Sequence, residues 1–285
     1  MIEVEDLTFS YPTASAPTLR GLSFAIADRE IFGFLGPSGA GKSTTQKILI
    51  GLLPGYGGKA RILGREVAAW GHALYEHVGV SFELPNHYQR LTARENLEHF
   101  GSLYERRAVT PAEALSWVGL ADHADKRVSE FSKGMKIRLN VARSLLHGPK
   151  LLMLDEPTSG LDPVNARNVK DLVLRLRGEG TTVLVTTHDM NVAAQLCDRV
   201  AFITDGQIRV IDSPAALERA HGRRSVRVEY LDGQATKTDE FSIDGLGDNA
   251  DFLTILRRHR VQTVHSLETT LEQVFIEVTG KELRP

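Results

Sequence analysis

The chain has 285 residues, 42% hydrophobic and 25% charged, with a formal net charge of −2. That is ordinary globular composition with room for about two domains, and it excludes a fibrous or largely disordered protein. Neither residues 1–217 nor the remainder is basic, so no nucleic-acid partner is expected.

The first residues, MIEVEDLTFSY, alternate apolar and polar side chains with early acids, which is a strand pattern and not that of a signal peptide. Segments 2–9 and 22–27 read as half-buried strands. The run Ile31–Leu35 is continuously apolar, as a strand covered on both faces would be. After a glycine-rich stretch, Ile48, Leu49, Leu52 and Leu53 share one helical face, and strand-like runs recur at 59–63 and 77–82.

From Thr92 to about His147 the pattern turns helical. Thr92 with Glu95, and Thr110 with Glu113 and Pro111, are capping-box signatures. Buried-strand runs return at Leu151–Leu154 and Thr182–Thr186, separated by a helix opened by Asp162–Pro163 and closed near Gly178. Cys197, the single cysteine, cannot form an intramolecular disulfide, which fits a reducing compartment. Val200–Thr204 and Gln207–Ile211 flank Asp205–Gly206 as a hairpin with a primed turn.

Past Ser213–Pro214 the character changes. Ser225–Leu231, a turn at Asp232–Gly233, a polar segment and two helical patterns suggest a small α+β appendix. The second helix runs roughly over Leu267–Thr279 and stops at Gly280. No stretch approaches the roughly 18 apolar residues needed to cross a bilayer. The expected chain is soluble and cytoplasmic, with any membrane role supplied by a partner.

Gly36-Pro37-Ser38-Gly39-Ala40-Gly41-Lys42-Ser43 fills every fixed position of G-x-x-x-x-G-K-[ST], between a buried strand and a helix. The glycines let backbone N–H groups wrap an anion at a helix N-terminus. Lys42 then reaches the β- and γ-phosphates of ATP, and the Ser43 hydroxyl ligates Mg²⁺. Thr44 closes the loop as a further nucleotide contact. Asp155 and Glu156 stand at the tip of the strand Leu151–Leu154. There a carboxylate opposite Ser43 holds Mg²⁺ through water, and its neighbour orients and deprotonates the attacking water.

Over about residues 1–215 these motifs resemble the ATP-binding cassette (ABC) family, specifically the nucleotide-binding subunit of a transporter. The resemblance implies an α/β fold: a P-loop NTPase (RecA-like) core over 1–217, with an antiparallel β subdomain and a helical insert at about 86–147. Residues 218–285 form the appendix. It also assigns roles. Tyr11 stacks on adenine, and Ser132 and Gly134 in Phe131-Ser132-Lys133-Gly134-Met135 stand for the family signature. Asp155 and Glu156 are the metal-holding and catalytic acids, and His188 is the switch histidine at the γ-phosphate. Ser159-Gly160-Leu161-Asp162 crosses to a second subunit.

Two positions depart from the family pattern. Lys133 and Met135 replace Gly and Gln in the signature, with Ser132 still read as a helix N-cap. Lys133 adds a charge directed either to phosphate or to solvent. Glu83 replaces the metal-sensing glutamine and is expected to keep that role. The loop 84–92, with His87, Tyr88 and Arg90 as exposed candidates, borders the groove that in the family receives a short helix from the membrane subunit. The ending Leu267–Pro285 resembles that of drug- and antibiotic-export cassettes.

The implied partners are polytopic membrane subunits and a second cassette, expected to be an identical copy, on the inner face of the cell membrane. An importer cassette is the alternative reading. A non-transport ABC clamp is disfavoured because the chain lacks a second cassette, long coiled-coil insertions and zinc-binding cysteines.

Overall fold

The computed structural model describes residues 1–221, 225–267 and 269–281, grouped in two compact units that meet in sequence between Ser213 and Pro214. In the first unit the strands are β1 (Ile2–Phe9), β2 (Leu19–Ile26), β3 (Ile31–Leu35), β4 (Gly57–Ile62), β5 (Arg65–Glu66), β6 (Val78–Ser81), β7 (Leu151–Asp155), β8 (Thr182–Thr187), β9 (Arg199–Thr204) and β10 (Gln207–Asp212). Its helices are α1 (Lys42–Leu49), α2 (Ala93–Gly101), α3 (Pro111–Trp117), α4 (Lys133–Ser144), α5 (Pro163–Gly178) and α6 (Met190–Leu196).

The main sheet has the order β10-β9-β3-β8-β7-β6, parallel from β9 to β6. β3 and β7 are buried along their whole length, which is why both read as unbroken apolar runs. Parallel pairing sets Leu35 beside Thr187, Asp155 beside Thr186 and Leu154 beside Ser81. The carboxyl ends of β3, β8, β7 and β6 therefore lie along one edge, where ligands of open α/β sheets bind.

A second, antiparallel sheet, β2-β1-β4-β5, shares a hydrophobic core with the main sheet. Phe24 from β2 meets Phe34 edge-on at 4.9 Å and stacks on Phe32 at 5.9 Å. Phe32 and Phe34 are fully buried, each contributing roughly 1.5–3 kcal/mol. Helices α5 and α6 contact β8, α6 also contacts β3, and α4 contacts β6.

Both anticipated capping boxes are present, at Thr92/Glu95 and Thr110/Glu113. The β9–β10 turn has positive φ at Asp205 (51°) and Gly206 (71°), as a type I′ turn requires. The apolar face expected over 48–53 is cut short: α1 ends at Leu49, and Leu52, beyond it, is 51% exposed.

The second unit comprises α7 (Pro214–His221), β11 (Ser225–Asp232), β12 (Ala235–Ser242), α8 (Ala250–Arg258), β13 (Arg260–Leu267) and α9 (Leu271–Thr279). Its sheet is β12-β11-β13, antiparallel, with Ile255 of α8 packed on Val226, Val228 and Tyr230. The division expected at 217/218 falls inside α7. Strand β12 escaped the sequence reading because it is an edge strand exposed on both faces, so no apolar alternation marks it. Strand β13 is likewise mostly exposed, and it ends at Leu267, where the sequence predicts the start of a helix that begins instead at Leu271. Glu268 and residues 282–285 of the export-like ending lie outside the described residues. No helix among the described residues is long and apolar enough to cross a membrane.

Candidate functional site

The loop from Gly36 to Gly41 joins the end of β3 to the start of α1. A Cβ on Gly36 would stand 2.1 Å from the Ile203 carbonyl of β9, and Gly41 caps α1 with φ of 111°. Only glycine meets both conditions, the first by close approach and the second by backbone angle. α1 has no side-chain cap and no acid in its first turn, so its positive end is left to an anion. Pro37 is half-buried, Ser38 and Ser43 are exposed, and Ala40 and Thr44 are buried.

Lys42 is 8% exposed, and its ammonium donates to the carbonyls of Gly36 (2.6 Å) and Pro37 (3.0 Å). Burial pulls its pKa below the usual lysine range, against the opposing field of Glu156, Asp155 and Glu83. All three anticipated carboxylates thus act through their charge on the same ammonium. Tyr11 hydrogen-bonds Thr44 through its hydroxyl at 3.3 Å, and its ring meets Phe9 edge-on.

The two acids at the tip of β7 are held differently. Asp155 accepts a hydrogen bond from the Thr186 hydroxyl of β8. Glu156 has φ of 48°, a strained value for this residue type, and its N–H donates to the Thr186 carbonyl at 2.9 Å. Its carboxylate is 9% exposed as a residue and accepts from the Thr187 hydroxyl (3.0 Å) and the His188 N–H (2.9 Å). The His188 ring Nδ1 lies 2.7 Å from the same oxygen. Because a carboxylate only accepts, Nδ1 carries the proton and Nε2 is left to face outward. From sequence Thr186 reads only as the last residue of a buried strand and Thr187 only as the neighbour of His188, so neither is expected to hold an acid.

The signature segment lies at the start of α4. Ser132 is the N-cap, its hydroxyl accepting from Met135 N–H at 3.2 Å, and it is exposed. A Cβ on Gly134 would stand 3.1 Å from Leu161, and one on Gly160 3.7 Å from the Lys133 ammonium, so the 132–134 and 160–161 segments touch within one chain. Among the described residues no hydrogen bond or ion pair joins Ser132 or Gly134 to Lys42, Asp155, Glu156 or Glu83.

His87 is corrected from exposed to buried. It is 6% exposed, Nε2 meets the Lys136 carbonyl at 3.0 Å, and burial pushes its pKa down to about 4. Tyr88 is 52% exposed and contacts His99 and Phe100, and Arg90 is exposed. Tyr88 and His87 border a groove of about 950 Å³, lined also by Leu52, Tyr75, Leu103 and Arg143.

Mg²⁺ fits the donors present. Ser43, Asp155 and Glu83 offer only hard oxygens, and among the described residues no three His, Cys, Asp or Glu side chains are grouped to hold a metal alone. A small cation that keeps waters and takes substrate phosphates as ligands suits such a sparse set.

Sequence and structure comparisons agree with this geometry. The ABC transporter family model matches residues 19–159, and a model described as the fluoroquinolone efflux ABC transporter C-terminal domain matches 224–268. A "Fluoroquinolones export ATP-binding protein" of Mycobacterium tuberculosis is 56% identical over 99% of this chain and 94% of its own length. A "Nod factor export ATP-binding protein I" of Rhizobium is 36% identical, over 92% and 85%. Among solved structures, a dimeric post-hydrolysis ATP-binding cassette bound to ADP and Pi superposes with a TM-score of 0.69. It is 26% identical, over 75% of this chain and 98% of that one. The buried strand, the phosphate loop, the paired acids and these relatives converge: the chain belongs to the ABC transporter family, as an ATP-binding and ATP-hydrolysing subunit.

Proposed function

We propose that this chain powers export by binding Mg-ATP on Gly36–Thr44 and hydrolysing it with Glu156 as base. The observation that carries the reading is the Glu156 carboxylate, oriented by Thr187 and by two nitrogens of His188, beside the Lys42 cluster. A base fixed by three donors pays little reorganisation when it accepts a proton from water. Lys42 and the first-turn N–H groups of α1 hold the phosphates, Tyr11 takes the adenine, and His188 meets the γ-phosphate through Nε2. Ser43, Asp155 and Glu83 hold Mg²⁺, which supplies charge neutralisation at the phosphates when bound.

Ser132 and Gly134 complete the ATP site of a second, identical cassette, so that each nucleotide holds two subunits together until it is hydrolysed. The exposure of Ser132, whose hydroxyl bonds within its own helix turn, supports action in trans. The groove beside Tyr88 receives a short helix of a polytopic membrane subunit, placing the chain on the cytoplasmic face of the membrane. Its apolar rim, with Leu52 and Leu103 exposed by 51% and 67%, supports that assignment. The names of the relatives support export over import, and their fluoroquinolones are the first compounds to assay.

The test is recovery of tagged Glu156→Gln protein from detergent-solubilised native membranes with Mg-ATP, followed by mass spectrometry. A multi-span protein in near-equal amount is expected. A dimer arriving alone, or with ribosomal proteins, sinks the transport reading.

A further inference from the structure

One face of α4 is spent on a single loop. Residues 136, 140 and 143 of this helix, at i, i+4 and i+7, share that face. The Lys136 carbonyl meets His87 Nε2 at 3.0 Å. Asn140, fully buried, donates to the Ser81 hydroxyl (3.0 Å) and to the Phe82 carbonyl (2.8 Å). Arg143 donates to the Asn86 carbonyl at 2.8 Å and lies 4.5 Å over the Phe100 ring.

These contacts span the segment 81–87, which joins three places. It leaves β6 at Ser81, carries Glu83 toward Lys42, and forms the groove wall at Phe82, Asn86 and His87. Its interior is fastened to the helix whose N-cap is Ser132. The Lys136 carbonyl only accepts, so His87 presents Nε2–H to it. That contact lies one turn from the cap, closer to it than those of Asn140 and Arg143.

We propose that His87 is a positioning residue for the signature turn: its Nε2–H, held on the Lys136 carbonyl one turn after the cap, sets where the start of α4 and with it Ser132 stand. His87 touches neither nucleotide nor metal in this scheme. The proposal rests on the reading of Ser132 as acting in trans.

The experiment measures ATP-driven pairing of Glu156→Gln protein with and without a second change at His87. His87→Leu removes the donor, whereas His87→Gln places an amide N–H where Nε2–H stands. The expected result is at least about tenfold weaker pairing for Leu, with ATP affinity of the single chain unchanged, and recovery of pairing with Gln. Equal pairing in all variants overturns the proposal. So does a loss that Gln fails to restore, or one accompanied by lost ATP affinity, since either marks a general packing defect. Should His87→Leu not fold, Arg143→Met, which releases the Asn86 carbonyl beside His87, is judged in the same background by the same pairing and affinity outcomes. If Glu156→Gln alone does not pair with ATP, the reading in trans falls and takes this proposal with it. Normal pairing of Glu156→Gln that is indifferent to His87 removes this proposal only.

Discussion

The Glu156 carboxylate receives two hydrogen bonds from one residue, His188, through its backbone N–H at 2.9 Å and its ring Nδ1 at 2.7 Å. The ring and main chain of His188 therefore fix the direction of the acid, while 53% of the histidine side chain stays open to solvent and ligand. This couples the base to whatever the imidazole touches.

Glu156→Gln keeps an acceptor for His188 and Thr187 but removes the base. Steady-state ATPase is expected to fall by about 10²–10⁴-fold while ATP binding persists. Turnover at the parent rate would refute the assignment. His188→Ala is expected to lower turnover as well, with the larger effect on kcat than on KM.

Lys42→Met removes a buried ammonium held by the loop carbonyls within the field of three carboxylates. A charge-assisted contact to phosphate is worth about 1.5–3 kcal/mol, so ATP affinity should weaken roughly 10- to 100-fold by calorimetry. Unchanged affinity removes Lys42 from the phosphate site.

Glu83→Gln restores the side chain that the family resemblance leads one to expect and takes one negative charge from the field on Lys42. The Mg²⁺ concentration for half-maximal ATPase should rise by about fivefold, the equivalent of roughly 1 kcal/mol for a charge near a protein surface. Identical magnesium titrations for parent and variant exclude Glu83 from the metal site.

Stability should rise with pH between about 4 and 6.5. Burial pushes both His87 and His147 down to about 4; the hydrogen bond to the Lys136 carbonyl opposes this at His87 while the Arg143 and Lys136 charges add to it, and Glu76 opposes it at His147. In the unfolded chain each would titrate near 6.5, so below that value the unfolded state binds the extra proton and gains. The loss on acidification is on the order of 3 kcal/mol for each histidine by pH 4. Urea melts at pH 7 and pH 5 check the slope, which His87→Gln should make shallower. A pH-independent midpoint contradicts the burial of both rings.

Much of the site was legible because its parts are local. The phosphate loop, the acids after β7 and the histidine after β8 each sit at the end of an unbroken apolar run, and such runs announce buried parallel strands. Ser132 as an N-cap and both capping boxes depend only on neighbours within one helical turn. What escaped depends on partners distant in sequence. Thr187 becomes an anchor for Glu156 across 31 residues, and His87 is buried by a carbonyl 49 residues away. Strands β12 and β13 escaped for a related reason: edge strands with exposed faces owe their form to pairing with β11.

The sequence by itself determined the chemical inventory: a lysine and hydroxyl for phosphate and metal, two acids, a histidine, and the strands and caps that carry them. Only the tertiary structure decided which of these meet. Parallel register aligns the ends of β3, β8, β7 and β6, so side chains up to about 150 residues apart share one edge. It also fixed which oxygen of Glu156 faces His188 and buried His87 against α4. Local propensities act over a few residues, whereas burial and charge act through space, and no spacing rule records a neighbour that only packing brings near.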